Sequence, residues 1–276
     1  MGQNRGADMN TGQRFEALIE VMNQLRNPGG CPWDQEQTME SLQPYLIEEA
    51  YECLDAMERG DRKEQCDELG DLLLQIVFQS RIASEEDAFT VDDVIEAISD
   101  KMIRRHPHVF GDAQAEHADA VVTQWEQIKR REKGEQPRSI VAGIPNSAPA
   151  LQRAARLGEK VSRVGLDWTE AQAVCSKVDE ELKELEAAIH QGDPKGVEEE
   201  IGDLLFTVAQ LARHLDVEPE GALRAATRKF TQRVEHMEGE LAREGLSWDD
   251  VDQLDERWNA AKLATQTASD TLHDTP

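Results

Sequence analysis

Two acidic blocks occur twice in this chain at a fixed interval. Glu48-Glu49-Ala50-Tyr51-Glu52 is followed by Glu68-Leu69-Gly70-Asp71, and Glu180-Glu181-Leu182-Lys183-Glu184 by Glu200-Ile201-Gly202-Asp203, each acidic position displaced by 132 residues. On a helix, residues three and four apart share a face, so each EExxE and each ExxD block clusters its carboxylates. Two such helices packed antiparallel would gather the clusters into a site of oxygen ligands, the donor set that a hard divalent cation such as Mg²⁺ requires.

The plain alternative is a pair of solvated acidic faces. Two features weigh against it. Leu69, Leu72, Leu73, Leu74, Ile76, Val77 and Phe78 point in nearly all directions around one helix. A helix apolar all round is expected to be buried, which would keep Glu68 and Asp71 from bulk water. Ile201, Leu204, Leu205, Phe206, Val208 and Leu211 repeat the arrangement around Glu200 and Asp203. Buried carboxylates need a partner, no basic residue at helical spacing within either ExxD block supplies one, and a metal ion would.

Acidic residues outnumber basic ones, 56 to 30, giving a net charge of −26. A surface of that sign repels nucleic acid and anionic membrane. It also repels nucleotides, so a site for a phosphorylated ligand needs metal ions and local Lys or Arg. Cys31, Cys53, Cys66 and Cys175 form no CxxC pair and no zinc-like spacing with histidine, which predicts free thiols in a reducing compartment. No apolar run is long enough to span a bilayer and the polar N-terminus has no signal-peptide core, so the expected location is the cytoplasm.

The rest of the chain reads as helices. Residues up to about Thr11 look like a loose tail. Helical spacing of Phe15, Leu18, Ile19, Met22 and Leu25 predicts a helix to Arg26, ended by Asn27-Pro28-Gly29-Gly30. After the turn-rich Cys31-Pro32-Trp33-Asp34, helices are expected at about Met39–Arg59, with Pro44 arguing for a later start, and at Lys63–Ser84. Thr90 opens another that runs to Arg105, and a short one is expected at Trp125–Arg131. The second half repeats the plan, with helices at about Ala150–Val164, Glu170–His190, Lys195–Leu215, Pro219–Glu244 and Asp252–Ala264, and Gly165-Leu166-Asp167-Trp168 standing for the first turn. With hardly any period-two alternation, the fold is all-α. The expected division is a first domain over 12–133, a linker over 134–149 rich in Gly and Pro, a second domain over 150–264, and a frayed tail over 265–276.

Basic and aromatic residues recur beside the acidic blocks. Lys101 and Arg105 match Lys229 and Arg233 at an offset of 128, and Trp125 and Lys129 match Trp258 and Lys262 at 133. Changes in loop length between duplicated domains account for the differences from 132. A basic helix face and a core tryptophan would look the same singly; recurrence beside a carboxylate cluster favours anion binding.

Taken together, the tandem EExxE–ExxD pattern, Cys31-Pro32-Trp33-Asp34, Arg104-Arg105-His106-Pro107-His108-Val109-Phe110, Val164-Gly165-Leu166-Asp167-Trp168 and Gly202-Asp203-Leu204-Leu205-Phe206 resemble the MazG family of nucleoside triphosphate pyrophosphohydrolases, over about Arg14 to Ala264. The resemblance implies tandem all-α nucleotide pyrophosphatase domains with four-helix-bundle-type sites, a homodimer, and Mg²⁺-dependent cleavage (Mn²⁺ substituting) of an NTP or dNTP to the monophosphate and pyrophosphate, as nucleotide-pool housekeeping. By matching positions it implies that Glu181, Glu184, Glu200 and Asp203 are metal ligands, with Glu49, Glu52, Glu68 and Asp71 as the first-half set. It further implies that Lys177, Lys229, Arg233, Trp258 and Lys262 contact the nucleotide; Lys195 stands about one residue from the family's lysine ahead of ExxD.

Phosphate chemistry is consistent with that assignment. Hydrolysis between the α- and β-phosphates requires charge neutralisation as pyrophosphate leaves, and Glu180 is the carboxylate left over to orient or deprotonate the attacking water. The first half has Tyr45 and Tyr51 where the second has Lys177 and Lys183, so the second carries more positive charge for a triphosphate and is the expected catalytic centre. A di-iron bundle is the poorer reading, because it expects Glu-x-x-His pairs, which the chain lacks. A narrower dUTP, dCTP or phosphoribosyl-ATP pyrophosphatase of the same superfamily, and a non-enzymatic helical scaffold, are the alternatives. His106 and His108 are read as packing or capping a loop.

Overall fold

The computed structural model of the protein describes residues 9–115, 117–132, 139–250 and 254–273. The expected loose tail falls largely on residues 1–8, and part of the expected linker on 133–138, both outside the described residues. Among the described residues every regular element is helical. The chain divides into two compact units, Met1–Gln136 and Pro137–Pro276.

The first unit begins with α1 (Thr11–Arg26), whose start is set by a capping box. The Asn10 side chain accepts from the Gln13 N–H, and Gln13 accepts from the Asn10 N–H. Gly30 follows in a turn where a Cβ would lie 2.3 Å from the Gln24 and Leu25 carbonyl oxygens, so only glycine fits. The Cys-Pro-Trp-Asp turn opens a short helix, α2 (Pro32–Glu36), with Pro32 in its first turn where no N–H is needed. For the same reason Pro44 marks the start of α3 (Gln43–Arg59). That helix closes on Gly60, left-handed at φ 73°, and Asp61 immediately caps α4 (Arg62–Glu85) by accepting from the Lys63 and Glu64 N–H groups. This two-residue junction makes α3 and α4 an antiparallel hairpin.

Thr90 and Asp93 form the capping box of α5 (Val91–Arg105), Pro107 starts α6 (Pro107–Phe110), and α7 (Ala118–Glu132) begins seven residues earlier than the expected Trp125. The core is Met22, Leu42, Val77, Phe78 and Ile82, with Phe15, Leu18 and Leu74 packed against it. Arg26 fastens α1 to this core. Its guanidinium lies 5.4 Å from the Phe78 ring centre, donates to Glu85 at 2.7 Å, and reaches the Asp34 and Gln37 carbonyls.

The second unit repeats the hairpin. After α8 (Ala150–Ser162) come α9 (Ala171–Gln191) and α10 (Pro194–His214), joined by Gly192 at φ 64° and by Asp193, which caps Lys195. The long α11 (Pro219–Glu244) packs on α8, α10 and α12 (Leu254–His273). The frayed tail expected from Thr265 is instead helix as far as His273. Its small polar residues lack a breaker, so nothing local stops the helix. Asp167 tethers the α8–α9 turn to α10: its carboxylate accepts from Arg213 Nη1 at 2.9 Å and Nη2 at 2.5 Å, and lies 3.0 Å from His214 Nε2.

The expectation that Glu68 and Asp71 are shielded from water is corrected. Asp71 and Asp203 are exposed, while Glu68 and Glu200 are half-buried. The apolar residues beside them are open too: Leu69, Leu73 and Ile76 on α4, and Ile201, Leu205 and Val208 on α10, are between 37 and 50% exposed. An all-round apolar helix needs covers on every side, and within each hairpin only part of the circumference is covered.

Candidate metal and anion site

In the second unit, α9 and α10 bring Glu181, Glu184 and Glu200 together, one oxygen of each lying within 4.8 Å of the others. The positions follow from helix geometry: Glu181 and Glu184 are three apart on α9, and Glu200 faces them from the antiparallel α10. Glu181 is buried, 4% exposed, while Glu184 is open to solvent. Desolvation, then the charges of Glu184, Glu181 and Asp203, push the Glu200 carboxyl above its usual range. Asp203 therefore belongs to the electrostatic environment without joining the close trio.

Lys177, one turn before Glu181, is the cation of this face. Its Nζ lies 2.8 Å from Glu180 Oε1 and 2.6 Å from Glu181 Oε1, and these two carboxylates raise the lysine's pKa. Glu180, the residue left for the attacking water, is thus held by an ion pair at the rim.

The other predicted contacts form a separate group. Arg233 on α11 stacks over Trp258 on α12, its guanidinium carbon 5.6 Å from the ring centre, and Phe230 meets the same ring at 5.2 Å. Among the described residues Arg233 Nε is buried without a hydrogen-bond partner. Lys229 is exposed, Lys262 half-buried one turn beyond Trp258, and Lys195 exposed at the start of α10. Among the described residues no hydrogen bond, ion pair or ring contact joins this group to the acidic trio.

In the first unit the acidic trio is composed differently. Glu49, Glu68 and Asp71 have oxygens within 4.8 Å of one another, and Glu52, the counterpart of Glu184, stands outside them. Desolvation, then Asp71, Glu52 and Glu68, raise the pKa of Glu49; desolvation, then Glu52 and Asp71, raise that of Glu68. Tyr45 occupies the place of Lys177 and meets the Trp33 ring edge-on at 6.0 Å. Arg105 stacks over Trp125 at 5.2 Å, as Arg233 does over Trp258. One residue not singled out from the sequence completes this group. Glu132, the last of α7, accepts from Arg104 Nε at 2.6 Å and from Arg105 Nη2 at 2.6 Å and Nε at 3.1 Å. Its only signal is positional: at the 133-residue offset relating Trp125 to Trp258, the second half has Thr265.

Both trios suit a hard cation. Each offers several carboxylate oxygens, and desolvation, then repulsion from neighbouring carboxylates, raises the pKa values of Glu49, Glu68 and Glu200, a cost of burying unneutralised charge that a divalent ion would relieve.

The fold and site define a duplicated all-α protein with one carboxylate hairpin in each half. Sequence comparison gives the family. The MazG nucleotide pyrophosphohydrolase domain matches residues 37–110 and 170–238. The nucleoside triphosphate pyrophosphohydrolase/pyrophosphatase MazG of Thermotoga maritima is 47% identical over 255 residues, covering 92% of this chain and 97% of its own. The nucleoside triphosphate pyrophosphohydrolase of Escherichia coli strain K12 is 44% identical, covering 90 and 97%. A solved mazG-related protein from Thermotoga maritima aligns with 42% of this chain and 98% of its own at 23% identity and a TM-score of 0.37, too distant to carry weight. The chain belongs to the MazG nucleotide pyrophosphohydrolase family.

Proposed function

We propose that the protein hydrolyses nucleoside and deoxynucleoside triphosphates to monophosphates and pyrophosphate, as nucleotide-pool housekeeping, with the second unit as the working centre. The observation that carries this reading is the convergence of Glu181, Glu184 and Glu200 oxygens within 4.8 Å of one another. Those three, with Asp203 beside them, would hold Mg²⁺, or Mn²⁺ in its place. When bound, such an ion supplies Lewis-acid neutralisation of phosphate oxygens and lowers the pKa of a bound water.

The chain's own groups then have distinct tasks. Lys177 tempers the acidic face at Glu180 and Glu181 and, on release from either, offers its ammonium to a phosphate oxygen. Glu180, at the rim, orients the attacking water and accepts its proton. The water oxygen bonds to the α-phosphorus as the bond to the α–β bridging oxygen breaks, and pyrophosphate departs with that electron pair. Arg233 presents its unpartnered Nε to an anion, with Lys229 and Lys262 as further cations and Lys195 at the helix start. Trp258 holds Arg233 in place and offers its remaining surface to the base or ribose. Glu49, Glu52, Glu68 and Asp71 form a second, metal-competent site with less positive charge around it.

The functional halves are taken as 12–133 and 150–264, joined by 134–149. A homodimer is the proposed assembly, supported by the open apolar faces of α3–α4 and α9–α10, which bundles of four helices would cover. No helix among the described residues is long and apolar enough to cross a membrane. The four free thiols support a cytoplasmic setting, and the acidic charge opposes binding to nucleic acid or membrane.

The test is turnover of a panel of NTPs and dNTPs with Mg²⁺, assayed for pyrophosphate against orthophosphate. Pyrophosphate with the matching monophosphate is expected. Glu184→Ala should lower kcat about 100-fold or more, the scale of metal-borne charge stabilisation, whereas Glu52→Ala should change it less than tenfold. Orthophosphate release, or the reverse ranking of the two variants, overturns the reading.

A further inference from the structure

The two halves build the same arginine-on-tryptophan pair and then treat the arginine differently. Arg105 lies over Trp125 and Arg233 over Trp258, at 5.2 and 5.6 Å. In the second unit, among the described residues, Arg233 Nε is buried with no hydrogen-bond partner, so part of its donor edge is spare. In the first unit the same edge is spent: Nε and Nη2 of Arg105 both donate to Glu132 Oε2, and Arg104 Nε donates to Oε1. The Nε/Nη2 edge of a guanidinium is one of the edges that grips a phosphate through two parallel bonds, and a carboxylate is its direct competitor. At the matching place the second half has Thr265, a neutral residue whose hydroxyl donates to the Ala261 carbonyl at 2.9 Å within its own helix.

The geometry points to Glu132 as a built-in substitute anion that closes the first unit's arginine–tryptophan site to triphosphates and so sets which half accepts substrate. This rests on the reading of Arg233 and its first-unit counterpart Arg105 as phosphate-contacting groups. Among the described residues Glu132 is hydrogen-bonded by Arg104 and Arg105, away from the trio, and it acts by occupying those two arginines. The two arginines hold the Glu132 carboxyl at about 2, so it is ionised at any physiological pH, and mild acid does not open the site. Only an anion that outcompetes it, or its removal, would do so.

The test is binding stoichiometry by isothermal titration calorimetry on the full chain with Mg²⁺ and α,β-methylene-ATP, a triphosphate that resists cleavage at the bond in question. Wild type should bind one per chain; Glu132→Gln and Glu132→Thr should each bind two, and Glu132→Gln with Arg105→Ala should return to one. The deciding quantity is the gain of one site over wild type. No gain in either single variant, with native helical circular dichroism retained, overturns the proposal, as does a wild type that already binds two. If wild type binds none, the reading of the second unit fails, while a gain from zero to one in Glu132→Gln still supports the role of Glu132.

Discussion

Asp167 shows how much one carboxylate holds in this fold. Arg213, His214 and its neighbour's Trp168 N–H, at 2.9 Å, all meet it, and the Arg213 hydrogen bonds above all lower its pKa to about 2. A carboxyl depressed in the folded state stabilises that state above its unfolded pKa of about 3.9 and ceases to as pH falls towards the folded value. Asp167→Asn should therefore cost about 1 kcal/mol at pH 7, after allowing for partial solvent contact. The gap in Tm between variant and wild type should narrow as pH is lowered from 5 towards 2. A gap independent of pH over that window would mean that the ion pair is not what Asp167 contributes. The same scale limits what sequence can say about the site. The spacing of Glu181, Glu184 and Glu200 was legible because a helix repeat fixes which positions share a face. Glu132 was not, since nothing in the sequence shows that the end of α7 returns to the end of α5.

At the scale of elements, the α8–α10 contact turns on a missing side chain. A Cβ on Gly158 would stand 1.7 Å from Gln210 Oε1 and 2.9 Å from Arg213 Nε, and Gln210 donates to the Ala154 carbonyl from that position. Glycine in a helix ordinarily gives way to alanine with a gain of about 1 kcal/mol. Gly158→Ala should instead destabilise by about 1–3 kcal/mol through overpacking. Gly239→Ala on α11, where a Cβ meets nothing within 4 Å, should show the ordinary gain, so urea midpoints of the two variants should move in opposite directions. Helix boundaries were legible wherever a chemical stop stands in the chain, as at Gly60, Thr90, Pro107 and Pro219. They were less so for α7 and α12. Ala118–Gln124 contains a β-branched run that weakens the helical signal, and the residues after Thr265 contain no breaker.

At the scale of the whole molecule, the duplication was plain from the sequence, but the burial of its acidic helices was misjudged. Apolar residues on all sides of α4 and α10 imply a full set of neighbours, and periodicity does not say whether those neighbours lie in the same chain. Leu205 is 50% exposed and Ile201 44%. In sedimentation the protein should run at twice its 31.0 kDa chain mass, and Leu205→Glu should weaken that association by at least tenfold, the effect of desolvating a charge in an apolar contact. Wild type sedimenting as a monomer at tens of micromolar would remove the proposed bundle. The tight junctions at Gly60 and Gly192 carry one more consequence. Because each acidic trio is confined to a single hairpin, its like charges meet as soon as that hairpin closes, and such local closures come early in folding. The carboxylates of each trio thus come together early in folding, and dissolved divalent cations should speed refolding from denaturant as well as steady the finished protein.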